Sequence, residues 1–90
     1  KITGVFIVSI GTINENIVHS REVYKRAMLQ NAHCIVIAHN HPSGDTTPSK
    51  EDLAVTERLK EAGELLGIRL LDHLILGNGT YRSLKEKGVI

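Results

Sequence analysis

The ninety-residue chain has one cysteine, Cys34, no tryptophan, and only two prolines, Pro42 and Pro48. A lone cysteine excludes an internal disulfide framework and fits a reducing, cytoplasmic setting. It lies in the apolar run 34–38, where it reads as a small packed hydrophobe rather than a nucleophile. An excess of one charge is missing too: 11 basic residues against 10 acidic ones give a formal net charge of +1. That balance offers no basic surplus to attract nucleic acid. The sequence also lacks an apolar stretch long enough to span a bilayer, a signal-peptide pattern, an internal repeat and a linker. With 41% apolar residues in so short a chain, the expectation is one small domain with a modest core. The chain opens on Lys1 almost inside a strand-like run, so it is expected to be a piece of a longer protein.

What is present divides into clear segments. Residues 2–10 are rich in β-branched side chains and predict a strand; 11–16 predict a turn, and Ile17 and Val18 a short extended piece. Ser20 is a candidate N-cap for a helix over 21–31, with Val23, Tyr24, Ala27 and Met28 as its apolar stripe. Residues 34–38 form a continuous apolar run, the mark of a strand covered on both faces. The polar stretch 39–48 then holds both prolines and reads as a shaped loop. A second helix is predicted from Ser49 to about residue 66, stopped by Gly67, with Val55, Leu59, Ala62 and Leu66 on one face. Residues 68–76 predict another buried strand, 77–79 a hairpin turn, and 80–84 its return strand. Strand, helix, strand, helix, strand, strand implies an α/β sandwich with a mixed sheet.

Three features converge between residues 39 and 52. His39 and His41 are two apart directly after a buried strand, and in extended backbone i and i+2 point the same way. Pro42 and Gly44 turn the chain there, leaving the pair at a strand's carboxyl end, where α/β folds usually place their sites. Asp52 falls in the first turn of the second helix, in step with its apolar face, where an unpaired carboxylate would be costly. Two imidazoles and a carboxylate suit one Zn²⁺ ion, with the fourth position left to a water whose pKa the ion lowers towards ~7. A second reading covers part of this: Ser49 and Asp52 also fit a capping box without any metal. That reading leaves the histidine pair and its loop unexplained.

Other residues carry less. His33 borders a strand, His19 sits at a helix entry, and Arg21, Lys25 and Arg26 read as a solvated basic face. His73 reads first as a buried, hydrogen-bonded core residue, and alternatively as a group supporting the metal ligands from behind. Asn40, between the two histidines, is the other candidate for such support. The letters His39-Asn40-His41 do not mark an HNH nuclease, whose residues come from well-separated positions.

The spacing His39-x-His41, seven residues, Ser49, two residues, Asp52 resembles the JAMM motif of the JAB/MPN metalloprotease superfamily. The segments 11–14, 21–23, 39–45 and 71–75 narrow the resemblance to the bacterial RadC branch, and it covers essentially the whole chain. The resemblance implies an α-β-α sandwich akin to the deaminases, although the deaminase His-x-Glu and Pro-Cys-x-x-Cys signature is missing. It implies His39, His41 and Asp52 as zinc ligands and Ser49 as a catalytic residue that stabilises an oxyanion. The implied reaction is hydrolysis of peptide or isopeptide bonds by metal-bound water, with a protein or peptide as substrate.

One part of the family pattern is missing. The mechanism needs a glutamate from an earlier strand as general base, and the only acids before His39 are Glu15 and Glu22, neither of which matches. The general base is thus unassigned, and the expectation is that the chain starts after the strand that carries it. A missing strand would leave a sheet edge open to self-association. The RadC label of DNA repair supplies an alternative, a DNA-associated binding module without proteolysis, which the near-zero charge disfavours.

Overall fold

A computed structural model describes residues 4–10 and 20–90. The β-branched run near the start forms β1 (Val5–Ile10), followed by α1 (Ser20–Leu29), β2 (Cys34–Asn40), α2 (Lys50–Leu66), β3 (Arg69–Leu76) and β4 (Tyr81–Ser83). The turn and short extended piece expected over 11–18, and His19, lie outside the described residues.

The strands form one mixed sheet in the order β1-β2-β3-β4. β1 and β3 both run parallel to β2, and β4 returns antiparallel to β3. Parallel neighbours joined through helices take right-handed crossovers. Two such crossovers stepping the same way across the sheet bring both helices to one face, and α1 and α2 touch each other there. Tyr24 Oη donates to the Leu59 carbonyl at 2.7 Å, and Val8, Val23, Ala27, Ile35, Ile37, Val55, Ile68 and Leu70 complete the shared core. The α/β architecture with a mixed sheet is therefore as expected, and among the described residues both helices belong to the same layer.

The helix ends follow local chemistry. α1 begins at Ser20 itself and stops at Leu29, two residues short of the expected end. Asn31 takes a left-handed φ of 54°, and Ala32 N–H reaches back to the Ala27 carbonyl at 3.0 Å, which closes the helix early. α2 is capped by Ser49 at its start and by Gly67, at φ 74°, at its end. Two residues assigned to apolar stripes are exposed, Met28 at 50% and Leu66 at 49%, and Ala62 is only partly buried. Met28 and Leu66 each lie in the last turn of their helix; the buried line of α2 runs through Asp52, Val55, Thr56, Leu59 and Gly63 instead. No helix among the described residues is long and apolar enough to cross a membrane.

One irregularity decides which residues of β3 face the helices. Ile35 pairs with Leu70 but Val36 pairs with Asp72, so Leu71 is an extra residue on β3. A bulge of this kind shifts the two-residue alternation by one. Leu70 and His73, three apart, consequently both point into the core.

Candidate metal centre

β2 presents Ile35, Ile37 and His39 to the helix layer in strict alternation, and His39 is only 1% exposed. The chain stays extended for two more residues, with His41 N–H bonding the Leu76 carbonyl at 2.8 Å, and so carries a second imidazole to the same side. It then turns sharply: Gly44 N–H returns to the His41 carbonyl at 3.0 Å with Gly44 at φ 84°, a left-handed geometry that favours glycine. Asp45 Oδ1 accepts from Thr47 N–H at 2.9 Å, so the turn is held from within. That bond also holds the Asp45 carboxyl below the usual carboxylate range. The turn rests on the β3–β4 connection at Gly77, where a side chain would come within 2.5 Å of the Gly44 carbonyl.

The start of α2 supplies the third group. Ser49 Oγ accepts from Asp52 N–H at 3.1 Å, and Asp52 Oδ2 accepts from Ser49 N–H at 2.7 Å, a complete capping box. The same carboxylate faces both histidines: His39 Nε2 lies 2.9 Å from Oδ1 and His41 Nε2 2.9 Å from Oδ2. The capping and ligand readings of Asp52 are thus compatible, because a carboxylate has lone pairs enough for both. Burial pushes the Asp52 carboxyl up, but the groups around it, led by the hydrogen bond from Ser49 N–H, outweigh it and hold it below the usual range. Burial pulls the His39 imidazole down, against the pull of the Asp52 charge, which favours a bare nitrogen.

The donor atoms of His39, His41 and Asp52 all lie within 4.8 Å of one another, a group that could hold a metal ion. Whether a cation fits can be read from the hydrogens. His41 Nδ1 lies 2.6 Å from the Asp45 carbonyl, which can only accept, so that nitrogen carries a hydrogen. A neutral His41 ring has no second hydrogen for Asp52, and its Nε2 faces the carboxylate as a lone pair. His39 Nε2 is buried and 2.9 Å from Asp52 Oδ1, yet the angles make no hydrogen bond, leaving it without a partner. Two nitrogens and a carboxylate converging on one point require positive charge there, either added protons or a metal ion.

The other expected residues fall as follows. His73 is fully buried and contacts His39, with Nε2 2.7 Å from His39 Nδ1; burial pulls its pKa down to about 4. Asn40, one step past His39, is exposed. Glu22 is exposed on α1 and Glu15 lies outside the described residues; no glutamate joins the His39–His41–Asp52 group among the described residues. His33, Arg21, Lys25 and Arg26 are exposed. One participant carries no signal in the expected stripe: Thr56, fully buried, with Oγ1 2.6 Å from His73 Nδ1 and 2.8 Å from the Asp52 carbonyl. Its position one helical turn after Asp52 is the clue that was there to read.

A mixed sheet with a histidine pair at the end of one strand and an aspartate in the next helix defines an α/β domain with a candidate mononuclear metal site. The model of the RadC-like JAB domain matches residues 1–89, and the chain belongs to that family. A UPF0758 protein of Clostridium tetani is 57% identical over 90 residues, which is 100% of this chain and 38% of the relative. A UPF0758 protein of Methanococcoides burtonii is 56% identical over 84 residues, 93% of this chain and 37% of its own length. A third, UPF0758 protein TTE0897 of Caldanaerobacter subterraneus, is 57% identical over 88 residues, 98% of this chain and 38% of the relative. The chain therefore spans well under half the length of these relatives.

Proposed function

We propose that this domain is the metal-binding part of a zinc-dependent hydrolase that cleaves peptide or isopeptide bonds. The observation that carries the reading is the convergence of His39 Nε2, His41 Nε2 and the Asp52 carboxylate, with the His41 hydrogen already committed to the Asp45 carbonyl. Two nitrogens and one carboxylate oxygen match zinc, and three protein ligands leave a position for a small molecule, as catalytic rather than structural zinc sites do. When bound, such an ion supplies Lewis acidity, polarising a carbonyl and acidifying water near neutral pH.

The remaining roles belong to the chain itself. Asp52 is anchored by the Ser49 N–H, so the ligand's position is set by the helix start rather than by a mobile side chain. Ser49 Oγ uses a lone pair, not its hydrogen, in accepting from Asp52 N–H, and that hydrogen is available to a developing oxyanion beside the ligands. The attacking water's proton needs an acceptor, and this reading expects a carboxylate from outside the described residues to take it.

Hydrolysis of quenched fluorescent peptides and of isopeptide-linked conjugates by the natural protein tests the reading. Turnover abolished by chelation, restored by Zn²⁺ and lost in His41→Ala is the expected result. Turnover that survives chelation or His41→Ala would overturn it.

A further inference from the structure

Behind the metal-ligating group runs a buried hydrogen-bond chain whose direction is set by one fixed point. The Asp52 carbonyl oxygen can only accept, and Thr56 Oγ1 donates to it at 2.8 Å. A hydroxyl has a single hydrogen. At its 2.6 Å contact with His73 Nδ1, therefore, the threonine oxygen accepts and the ring nitrogen carries the hydrogen. The neutral His73 ring then has a bare Nε2, which accepts at 2.7 Å from His39 Nδ1–H. With its hydrogen on Nδ1, His39 presents a bare Nε2 to Asp52 Oδ1, 2.9 Å away. Thr56 and His73 are fully buried and His39 is 1% exposed, so water is not at hand to exchange these roles.

We propose that Thr56 and His73 are positioning residues that lock His39 in the Nδ1–H tautomer, so that a lone pair and not an N–H faces Asp52 and His41. A ligating histidine commonly gives its second ring N–H to a carbonyl or carboxylate. His41 does this with the Asp45 carbonyl. His39 lies in the sheet interior, where its neighbour is another imidazole, and an imidazole can be acceptor or donor at either nitrogen. Something must settle which, and Thr56 does so by spending its one hydrogen on the Asp52 backbone. The chain therefore starts and finishes on the same residue, tying the His39 ring to the helical turn that supplies the third ligand. The extra residue Leu71 in β3 is what turns His73 inward to complete it.

The effect on metal affinity rests on the zinc reading above; the tautomer does not. Long-range ¹H–¹⁵N correlation spectra of the metal-free protein report ring tautomers directly. In wild type His39 is expected as Nδ1–H with a bare Nε2. Thr56→Val, close in shape but without the hydroxyl, is expected to release the His73 hydrogen and move the His39 hydrogen to Nε2. Its Zn²⁺ affinity, measured by chelator competition, falls about 10–100-fold. Thr56→Ser restores both tautomer and affinity. Should Thr56→Val not fold, His73→Gln provides a second test: an amide oxygen can accept from His39 Nδ1–H and keep the wild-type tautomer. A wild-type His39 found as Nε2–H overturns the proposal. So does an unchanged His39 tautomer in Thr56→Val. The Nδ1–H tautomer in a wild type that binds no zinc would support the positioning role while refuting the zinc reading.

Discussion

The two halves of α2 each bury residues against the sheet and α1, but by opposite chemistry. Near its C-terminus the helix presses Leu59 and Gly63 onto Tyr24 and Ile68, an apolar contact with one side-chain hydrogen bond, Tyr24 Oη to the Leu59 carbonyl. Burial there raises the Tyr24 pKa to about 12, keeping the phenol a donor. At its N-terminus the same helix buries Asp52 and Thr56 against two histidines, and polar groups fill the space that apolar side chains occupy two turns later. The first end can be optimised for stability alone. The second aims lone pairs at one another, an arrangement that gains little stability until a cation arrives. A substitution should thus read out differently at the two ends: as stability at one, as ion binding at the other.

The largest effect is expected from Asp52→Asn. Its amide oxygen can still accept from Ser49 N–H and its NH₂ can donate to a bare histidine nitrogen. Metal affinity measured by chelator competition should fall by roughly three orders of magnitude, about 4 kcal/mol, while urea unfolding of the metal-free protein changes by less than about 1 kcal/mol. Acid pH comes next. Burial depresses His73 from 6.5 to about 4, so between those values the unfolded chain binds more protons than the folded one. Stability of the metal-free protein should therefore be complete above pH 6.5 and fall as the pH drops towards 4, by roughly 3 kcal/mol. Subtracting the unfolding curve of His73→Gln isolates that slope.

At the other end, Gly63→Ala would push a methyl group against the Tyr24 hydroxyl and the Ile68 carbonyl. Urea unfolding should show a loss of about 2 kcal/mol, with metal affinity of the folded protein unchanged. Tyr24→Phe removes only the bond to the Leu59 carbonyl and should cost about 1 kcal/mol in the same assay, again without effect on the site.

Much of this layout is legible in the chain. The run 34–38 gives a central strand, Ser49 and Gly67 mark both ends of α2, and the two-residue spacing of His39 and His41 puts them on one side of an extended segment. The rest depends on tertiary pairing. Nothing in Leu70-Leu71-Asp72-His73 says which residue is the extra one; the register against β2 decides it, and with it the inward turn of His73. The exposure of Met28 and Leu66 depends on where each helix's last turn lies relative to its neighbours, which periodicity within one helix does not contain. Thr56 escapes notice because it lies outside the predicted stripe of Val55, Leu59, Ala62 and Leu66, and only the fold shows its hydroxyl between an imidazole and a backbone carbonyl.

Metal content of the natural protein, purified without a metal-affinity step and compared with His41→Ala, tests the central claim most directly. About one equivalent of zinc in wild type and almost none in the variant is the expected result. Wild-type protein carrying no zinc, or as much as His41→Ala carries, would contradict it.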